Sequence, residues 1–420
     1  MNLYAVIILT FILAEFILEL VANILNLRAL RLTPPEELKD IYQADAYHKS
    51  QEYTRDQTVF DFVVSLVSLG LLLFFWFWGG FNKLDLLVHS WGFGNIINGL
   101  LYIAILMLAY SAIMLPFSIY STFVIEQRYG FNRTTPQVFI KDKLKTLLLA
   151  ILLGIPLLAG ILALFENCGS YAWLYCWTVV TLYLLIIEFI APNWIMPLFN
   201  KFTPLEGGEL RSSLMAYADS VDFPVKNIFI MDSSKRSSRS NAFFTGFGHN
   251  KKIVLFDTLV ARHPPAELVA VLAHEVGHYK KNHITFNLVI SILHFGLLFF
   301  LLSLFINSSG LYAAFYMEQP SVYAGLIFFG LLYTPIEVIL SIFLNMLSRR
   351  FECAADRFAA TTIKDPFSLV NALKRLASDN LSNLTPHPFF VFLHYSHPTL
   401  LQRVMAIRSS TINISEKHMP

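Results

Sequence analysis

The chain alternates long apolar runs with shorter polar stretches. Seven runs, Leu3–Leu27, Thr58–Gly80, Ile96–Val124, Thr146–Phe165, Tyr171–Met196, Thr285–Ile306 and Ser321–Ser348, stand out. Each is long enough, at 1.5 Å per residue, to cross a hydrocarbon layer of about 30 Å. The pattern predicts an α-helical polytopic membrane protein with seven spans. None of the 31 Lys and Arg residues falls inside a run, and all but Lys83 lie in segments 28–57, 125–145, 197–284 and 349–420. Because cytoplasmic loops collect basic residues, the loops sort onto alternate sides with the N-terminus outside. The two longest polar segments, 197–284 and 349–420, are then both cytoplasmic. Leu3–Leu27 lacks the basic start and small-residue cleavage site of a secretory signal and contains Glu15 and Glu19, so it reads as a retained first helix.

Within the polar segments, His274-Glu275-Val276-Gly277-His278 carries the strongest chemical signal. Residues four apart share a helix face, so both imidazoles can reach one metal while Glu275 points beside it toward a water. Pro264-Pro265-Ala266-Glu267 marks a helix start just upstream, and Leu268, Val269, Val271 and Leu272 continue an apolar helical pattern. A catalytic zinc takes three protein ligands and leaves a fourth position open. Glu352, beyond the seventh run, is the third candidate, with Asp356 one turn later placed to hold the second nitrogen of a ligating histidine. A lone Glu-x-x-x-Asp is common on solvated helix faces; the histidine pair is what favours metal here.

Composition agrees with the bilayer, at 55% hydrophobic and only 14% charged residues. The net charge of +2 carries no signal for nucleic acid, and no basic-aromatic patch points to one. Cys168, Cys176 and Cys353 lack zinc spacing; the first two lie close enough in sequence to leave pairing open. Five acidic residues fall within the runs, Glu15, Glu19, Asp61, Glu188 and Glu337. Ionisable groups at membrane depth face a bundle interior or a wet cavity, which hints at an internal chamber, while solvation of those near helix ends is the plain alternative. His294 reads as a packed histidine. In segment 197–284, Leu210–Val221 is expected as an amphipathic helix, Ile228–Met231 as a strand and Asp232–Ser240 as a polar loop. Residues 241–248 and Lys252–Phe256 flank His249-Asn250-Lys251 as a β-hairpin, whose open edge would hold an extended peptide by strand addition.

Six stretches together resemble the type I CAAX prenyl endopeptidases, the integral-membrane zinc metalloproteases of the CAAX prenyl protease 1 family. They are Glu126-Gln127-Arg128-Tyr129-Gly130-Phe131-Asn132-Arg133-Thr134-Thr135 with Lys141-Asp142, the run Pro197 to Leu205, Asn241-Ala242-Phe243-Phe244, His274 to His278, Glu352 to Asp356, and His397-Pro398 with Arg403. The zinc motif is shared by many metalloproteases; the first two runs point to this family. The resemblance implies zinc ligands His274, His278 and Glu352, Glu275 as general base, and Asp356 orienting a histidine. It also implies a transition-state role for His397, and Asn241 and Ala242 along the substrate groove. Arg403 is counted with these substrate-side residues, and its spacing favours His397 over the rival His387.

The implied architecture is seven helices around a hydrated chamber with a small cytoplasmic α+β protease domain. The expected division is 1–196 with five spans, 197–284 and 349–420 for the protease, and 285–348 for spans six and seven. The implied partners are the bilayer and a peptide or protein substrate, prenylated or membrane-associated. A tail without a dilysine signal and short loops favour a bacterial inner membrane, with the endoplasmic reticulum as the alternative. An HtpX-type quality-control protease is disfavoured by five spans ahead of the zinc helix. A transporter or scaffold with structural zinc is disfavoured because no fourth Cys or His sits at ligand spacing.

Overall fold

The computed structural model describes residues 2–31, 33–41, 44–224, 227–245 and 252–417. Five long apolar helices come first, α1 (Leu3–Arg28), α2 (Asp45–Phe77), α3 (Asn95–Arg128), α4 (Pro136–Asn167) and α5 (Gly169–Phe199). A polar stretch follows with helices α6 (Glu209–Ser220) and α7 (Pro265–Lys280). Two more apolar helices come next, α8 (His283–Phe305) and α9 (Val322–Thr362). The C-terminal part adds α10 (Phe367–Asp379), α11 (Pro388–His394) and α12 (Leu400–Lys417). Thus seven described helices are long and apolar enough to cross a membrane, and the protein is an integral membrane protein of mostly helical build.

The seven apolar runs lie in these helices, but the helices extend further at their polar ends. α2 starts at Asp45 rather than Thr58, α4 at Pro136 rather than Thr146, and α9 continues to Thr362 rather than stopping near Ser348. Hydropathy marks only the part inside lipid, whereas Glu, Lys, Arg and Ala beyond it are good helix formers. Local signals set the new ends: Thr135 accepts a bond from the Val138 N–H and Pro136 occupies the first turn of α4.

Little of each span is buried against protein, from none of the apolar window of α2 to 22% of that of α1. Helices in a solid bundle would bury far more, so these line a hollow, with lipid on their other side. The end away from the basic loops is closed by the short helices Gly80–His89 and Ser309–Ala314. There Trp76 donates to the Ala314 carbonyl at 2.8 Å and the Phe315 and Phe328 rings stack at 3.9 Å. Two of the acidic residues within the spans meet histidines: Glu19 lies 3.2 Å from His394, and Glu337 3.2 Å from His294. Glu19 and Asp61 line a cavity of about 230 Å³ with Asn23, Ser65 and His394. Cys168 and Cys176 are free thiols.

The polar part forms a four-stranded sheet from β1 (Phe202–Pro204), β2 (Asn227–Met231), β3 (Ala242–Thr245) and β4 (Lys252–Phe256), in the order β1-β2-β4-β3. β3 pairs antiparallel with β4, Ala242 opposite Leu255, which is the expected hairpin; its turn, residues 246–251, lies outside the described residues. β2 runs parallel to β4, and β1 antiparallel to β2. β3 is therefore an edge. Ile228, Ile253 and Leu255 pack with Leu268, Leu272 and Val276 of α7 and with Ala359, Leu369 and Val404, so segments 197–284 and 349–417 share one core.

α7 and α9 cross at very close range. A Cβ on Gly277 would stand 2.9 Å from the Ala355 Cα and 3.0 Å from its carbonyl oxygen. Glycine normally weakens a helix by about 1 kcal/mol against alanine, so its place here is explained by this approach. Gly277→Ala is expected to destabilise the protein by about 1–3 kcal/mol through overpacking against backbone that cannot yield. Thermal unfolding of the purified variant measures it, and an unchanged midpoint would contradict the tight crossing.

Candidate metal and active site

The α7–α9 crossing brings two helix faces together. His274, Glu275 and His278 come from α7, and Glu352 and Asp356 from the extension of α9 beyond its apolar part. The His274 and His278 Nε2 atoms are 3.2 Å apart, His274 Nε2 is 3.3 Å from Glu352 Oε2, and His278 Nε2 is 3.2 Å from Glu352 Oε1. Tetrahedral coordination with bonds of 2.0–2.1 Å puts ligand atoms roughly 3.3 Å apart; each spacing is of that order, and one donor atom from each of the three residues lies within 4.8 Å of the others. Glu352 Oε2 is buried without an aligned hydrogen-bond donor, an acceptor left free for a cation. Among the described residues, His274, His278 and Glu352 form the group whose donors can converge on a metal.

The electrostatics point the same way. Burial works against a charged His274 ring, yet the carboxylates of Asp356 and Glu352 outweigh it and lift His274 to about 9. The pocket thus favours positive charge between its donors. Burial raises the Glu275 carboxyl, while the Phe244 backbone N–H and the nearby histidines favour its ionised form. α7, which carries Glu275, packs against β3.

Asp356 Oδ1 is 2.9 Å from His274 Nδ1, where a carboxylate fixes the ring's tautomer. Arg403 in turn grips Asp356 with two bonds, Nε at 2.7 Å and Nη2 at 2.6 Å, and its side chain is only 12% exposed. The sequence reading grouped Arg403 with substrate contacts; in the structure its guanidinium is turned onto Asp356. His397 Nε2 lies 3.3 Å from Glu352 Oε1, with its Nδ1 on the Ser396 hydroxyl at 2.9 Å. Burial pushes the ring below the ordinary histidine range. The rival His387 instead caps α11, accepting from the Phe389 N–H. Asn241 precedes the edge strand, its side chain accepting from the Ala242 N–H at 2.8 Å, and Ala242 itself is buried.

His283 escaped the sequence reading. Its Nδ1 is 3.1 Å from His278 Nδ1, and its ring stacks on Phe351 at 4.1 Å. Asn282, in the left-handed region with φ 57°, turns the chain sharply between α7 and α8 and brings His283 back onto its neighbour. The signal was available: a histidine one residue after an Asn that follows the helix end. Each ring on α7 thus has a partner at its Nδ1.

Residues 23–201 match the model of the CAAX prenyl protease N-terminal region, described as five membrane helices, and residues 204–411 match peptidase family M48. The CAAX prenyl protease 1 homolog of rice, Oryza sativa subsp. japonica, is 38% identical over 412 residues, covering 96% of this chain and 97% of that protein. The chain belongs to the CAAX prenyl protease 1 family. The CAAX prenyl protease 1 of Saccharomyces cerevisiae is 34% identical, covering 89% of this chain and 88% of that one. The crystal structure of S. mikatae Ste24p superposes with a TM-score of 0.91 at 34% identity, over 97% of this chain and 99% of that one. Membership makes the protein a membrane metalloendopeptidase, and the transporter, scaffold and HtpX-type readings give way to it.

Removing one donor tests the ligand set directly. Glu352→Ala is expected to lose the bound metal on purification, because two histidines hold an ion far more weakly than three ligands. Asp356→Ala, which leaves the donors in place, is expected to weaken metal affinity by about tenfold to a hundredfold. Metal analysis and chelator competition read both; full occupancy in Glu352→Ala would remove it from the set.

Proposed function

We propose that this family member uses zinc, held by His274, His278 and Glu352, to cut prenylated CAAX proteins near their C-terminus and release a tripeptide. The observation that carries the reading is the convergence of three donors, two of them on the helix that carries Glu275 and packs against the edge strand β3. A zinc held by these donors would supply Lewis acidity and make a water acidic enough to act near neutral pH. Glu275 accepts that water's proton as it attacks the peptide carbonyl and delivers it to the leaving amine. His397, beside Glu352, donates to the oxygen on which charge develops. Asp356 and Arg403 hold the His274 ring, and His283 the His278 ring, so that both keep their Nε2 atoms toward the donors' common centre.

Binding of an extended substrate beside β3 accounts for Asn241 and Ala242. The strand offers main-chain groups to a peptide, and Asn241 shapes its entry. We divide the chain into a membrane region 1–196, protease segments 197–284 and 349–420, and spans six and seven at 285–348. In this scheme the site faces the side that carries the basic loops, the cytoplasm. The short loops suit a bacterial inner membrane, and the eukaryotic origin of the relatives above suits the endoplasmic reticulum.

Two measurements test this. Glu275→Gln keeps the side chain's shape but not its basicity, and is expected to lower kcat on a prenylated CAAX peptide by about a thousandfold with metal content unchanged. Asn241→Ala is expected to act mainly on KM, since it weakens docking before the chemistry. Retained cleavage in Glu275→Gln, free of host proteases, would sink the catalytic assignment. In a cysteine-free background, a cysteine at Ser309 is expected to react with an impermeant reagent from outside and one at Lys235 is not; the reverse pattern would invert the molecule.

A further inference from the structure

We propose that Arg349, with Asn345 one turn before it on α9, is the positioning residue that holds His397 beside the metal donors. The inference rests on the role given to His397 above and adds what sets the reach of that ring.

His397 lies on an irregular stretch between α11 and α12, with its side chain 59% exposed. Among the described residues, the polar contacts of its ring are the Glu352 carboxylate and the hydroxyl of Ser396, its own neighbour. Neither can fix it. Ser396 moves with the same stretch, and Glu352 is one of the three convergent donors, whose oxygens a metal would claim. The ring's place is therefore set by the backbone on either side of it. Downstream, α12 is capped reciprocally: the Thr399 N–H donates to the Gln402 side chain at 3.0 Å and the Gln402 N–H to the Thr399 hydroxyl at 3.3 Å. Arg403 then ties α12 to Asp356.

The upstream side depends on α9. With seven residues, α11 is too short to hold together on helix propensity, and its last turn leaves carbonyls without partners inside the helix. Asn345 Nδ2 donates to the Leu393 carbonyl at 2.8 Å. Arg349 Nη1 donates to the Val391 carbonyl at 3.3 Å and, by a shorter bond, to that of Tyr395. A cation at this end of a helix is favoured by its dipole as well. Asn345, Arg349, Glu352 and Asp356 are i, i+4, i+7 and i+11 of α9 and fall within about 60° around its axis. Their partners Leu393, Tyr395, His397 and Arg403 follow in the same order, so the chain from 393 to 403 is laid along one stripe of the helix. That stripe carries a metal donor and also the bonds that bring His397 to it. Tyr395, two residues before His397, is the last anchored point ahead of the ring. A guanidinium bonded to two successive turns of chain fixes the direction in which the backbone leaves α11.

The test uses full-length, metal-loaded protein and a prenylated CAAX peptide. Arg349→Met removes the donors and keeps an unbranched side chain. It is expected to lower kcat by about tenfold to a hundredfold with KM and metal content unchanged, because a donor displaced by about 1 Å fails in the transition state first. Asn345→Leu acts in the same direction and less. His397→Ala alone lowers kcat by about a hundredfold or more, and Arg349→Met added to it costs nothing further, since the arginine acts through a ring that is gone. Additive losses, a raised KM or lost metal in Arg349→Met make the arginine merely structural and overturn the inference. Arg349→Lys, which keeps a donor for the carbonyls, decides the case in which Arg349→Met does not fold: it must show the same kcat defect, smaller, and the same non-additivity. A second readout needs no turnover. Backbone hydrogen exchange over residues 391–399 is expected to speed up by about tenfold in Arg349→Met, with residues 270–280 as in wild type; unchanged exchange over 391–399 overturns the anchor. If His397→Ala keeps full activity while Glu275→Gln is inactive, this inference falls and the endopeptidase reading stands. If wild type does not cut the peptide, the endopeptidase reading fails, and exchange alone upholds or overturns Arg349 as the anchor of the His397 segment.

Discussion

The contact between Gly277 and Ala355 is the constraint on which the rest depends. Two helices approach until backbone meets backbone, and only because of that can His274 and His278 on one share a donor cluster with Glu352 on the other. The approach also buries the partners behind the donors, Asp356 and Arg403, whose charges would be costly in an apolar core if unpaired but here neutralise each other. One helix belongs to the protease core and the other rises from the membrane. The site is therefore assembled across a boundary between two environments, and neither half carries a complete donor set.

A second junction fixes the β3 edge. The stretch after α3 meets the loop ahead of β3 through several charged and backbone contacts. Arg236 holds Asp142 with bonds of 2.7 and 2.9 Å, and Arg239 holds Glu126 at 2.9 Å while lying over the Phe131 ring at 4.4 Å. The Ser238 N–H donates to the Phe131 carbonyl, and Asn132 bridges to Ser237. These explain why polar residues at a membrane helix end, far from the donors in sequence, belong with the catalytic part. They clamp the segment that leads directly into Asn241 and the edge strand.

Much of this was legible because membrane burial and helix periodicity leave strong marks. Seven apolar runs and a one-sided distribution of Lys and Arg need no tertiary information, and His274, His278 and the Glu352–Asp356 pair announce themselves by four-residue spacing. What failed to show in the pattern depends on contacts between distant segments. β1 has three residues, too few for an alternating pattern, and the parallel pairing of β2 with β4 skips the strand between them in sequence. Arg403 has no spacing that reveals Asp356 as its partner, and His283 reaches His278 only because Asn282 adopts a left-handed turn. The true extent of α9 was hidden too, since hydropathy ends where lipid ends and says nothing of a helix that continues through water.

That continuation has a geometric consequence. α9 passes without a break from the apolar segment ending near Ser348 to Glu352, four residues or about 6 Å further along its axis. A continuous helix of fixed length thus joins the apolar segment to Glu352, and on the ligand set proposed above the height of the metal site over that segment is set by covalent geometry. Such a device measures distance. Under the proposed function, a chain tethered to the membrane by its own anchor would present its bond at the cutting level only if the spacer between anchor and bond had the right length, which would sort substrates by spacing from the membrane as well as by side chain.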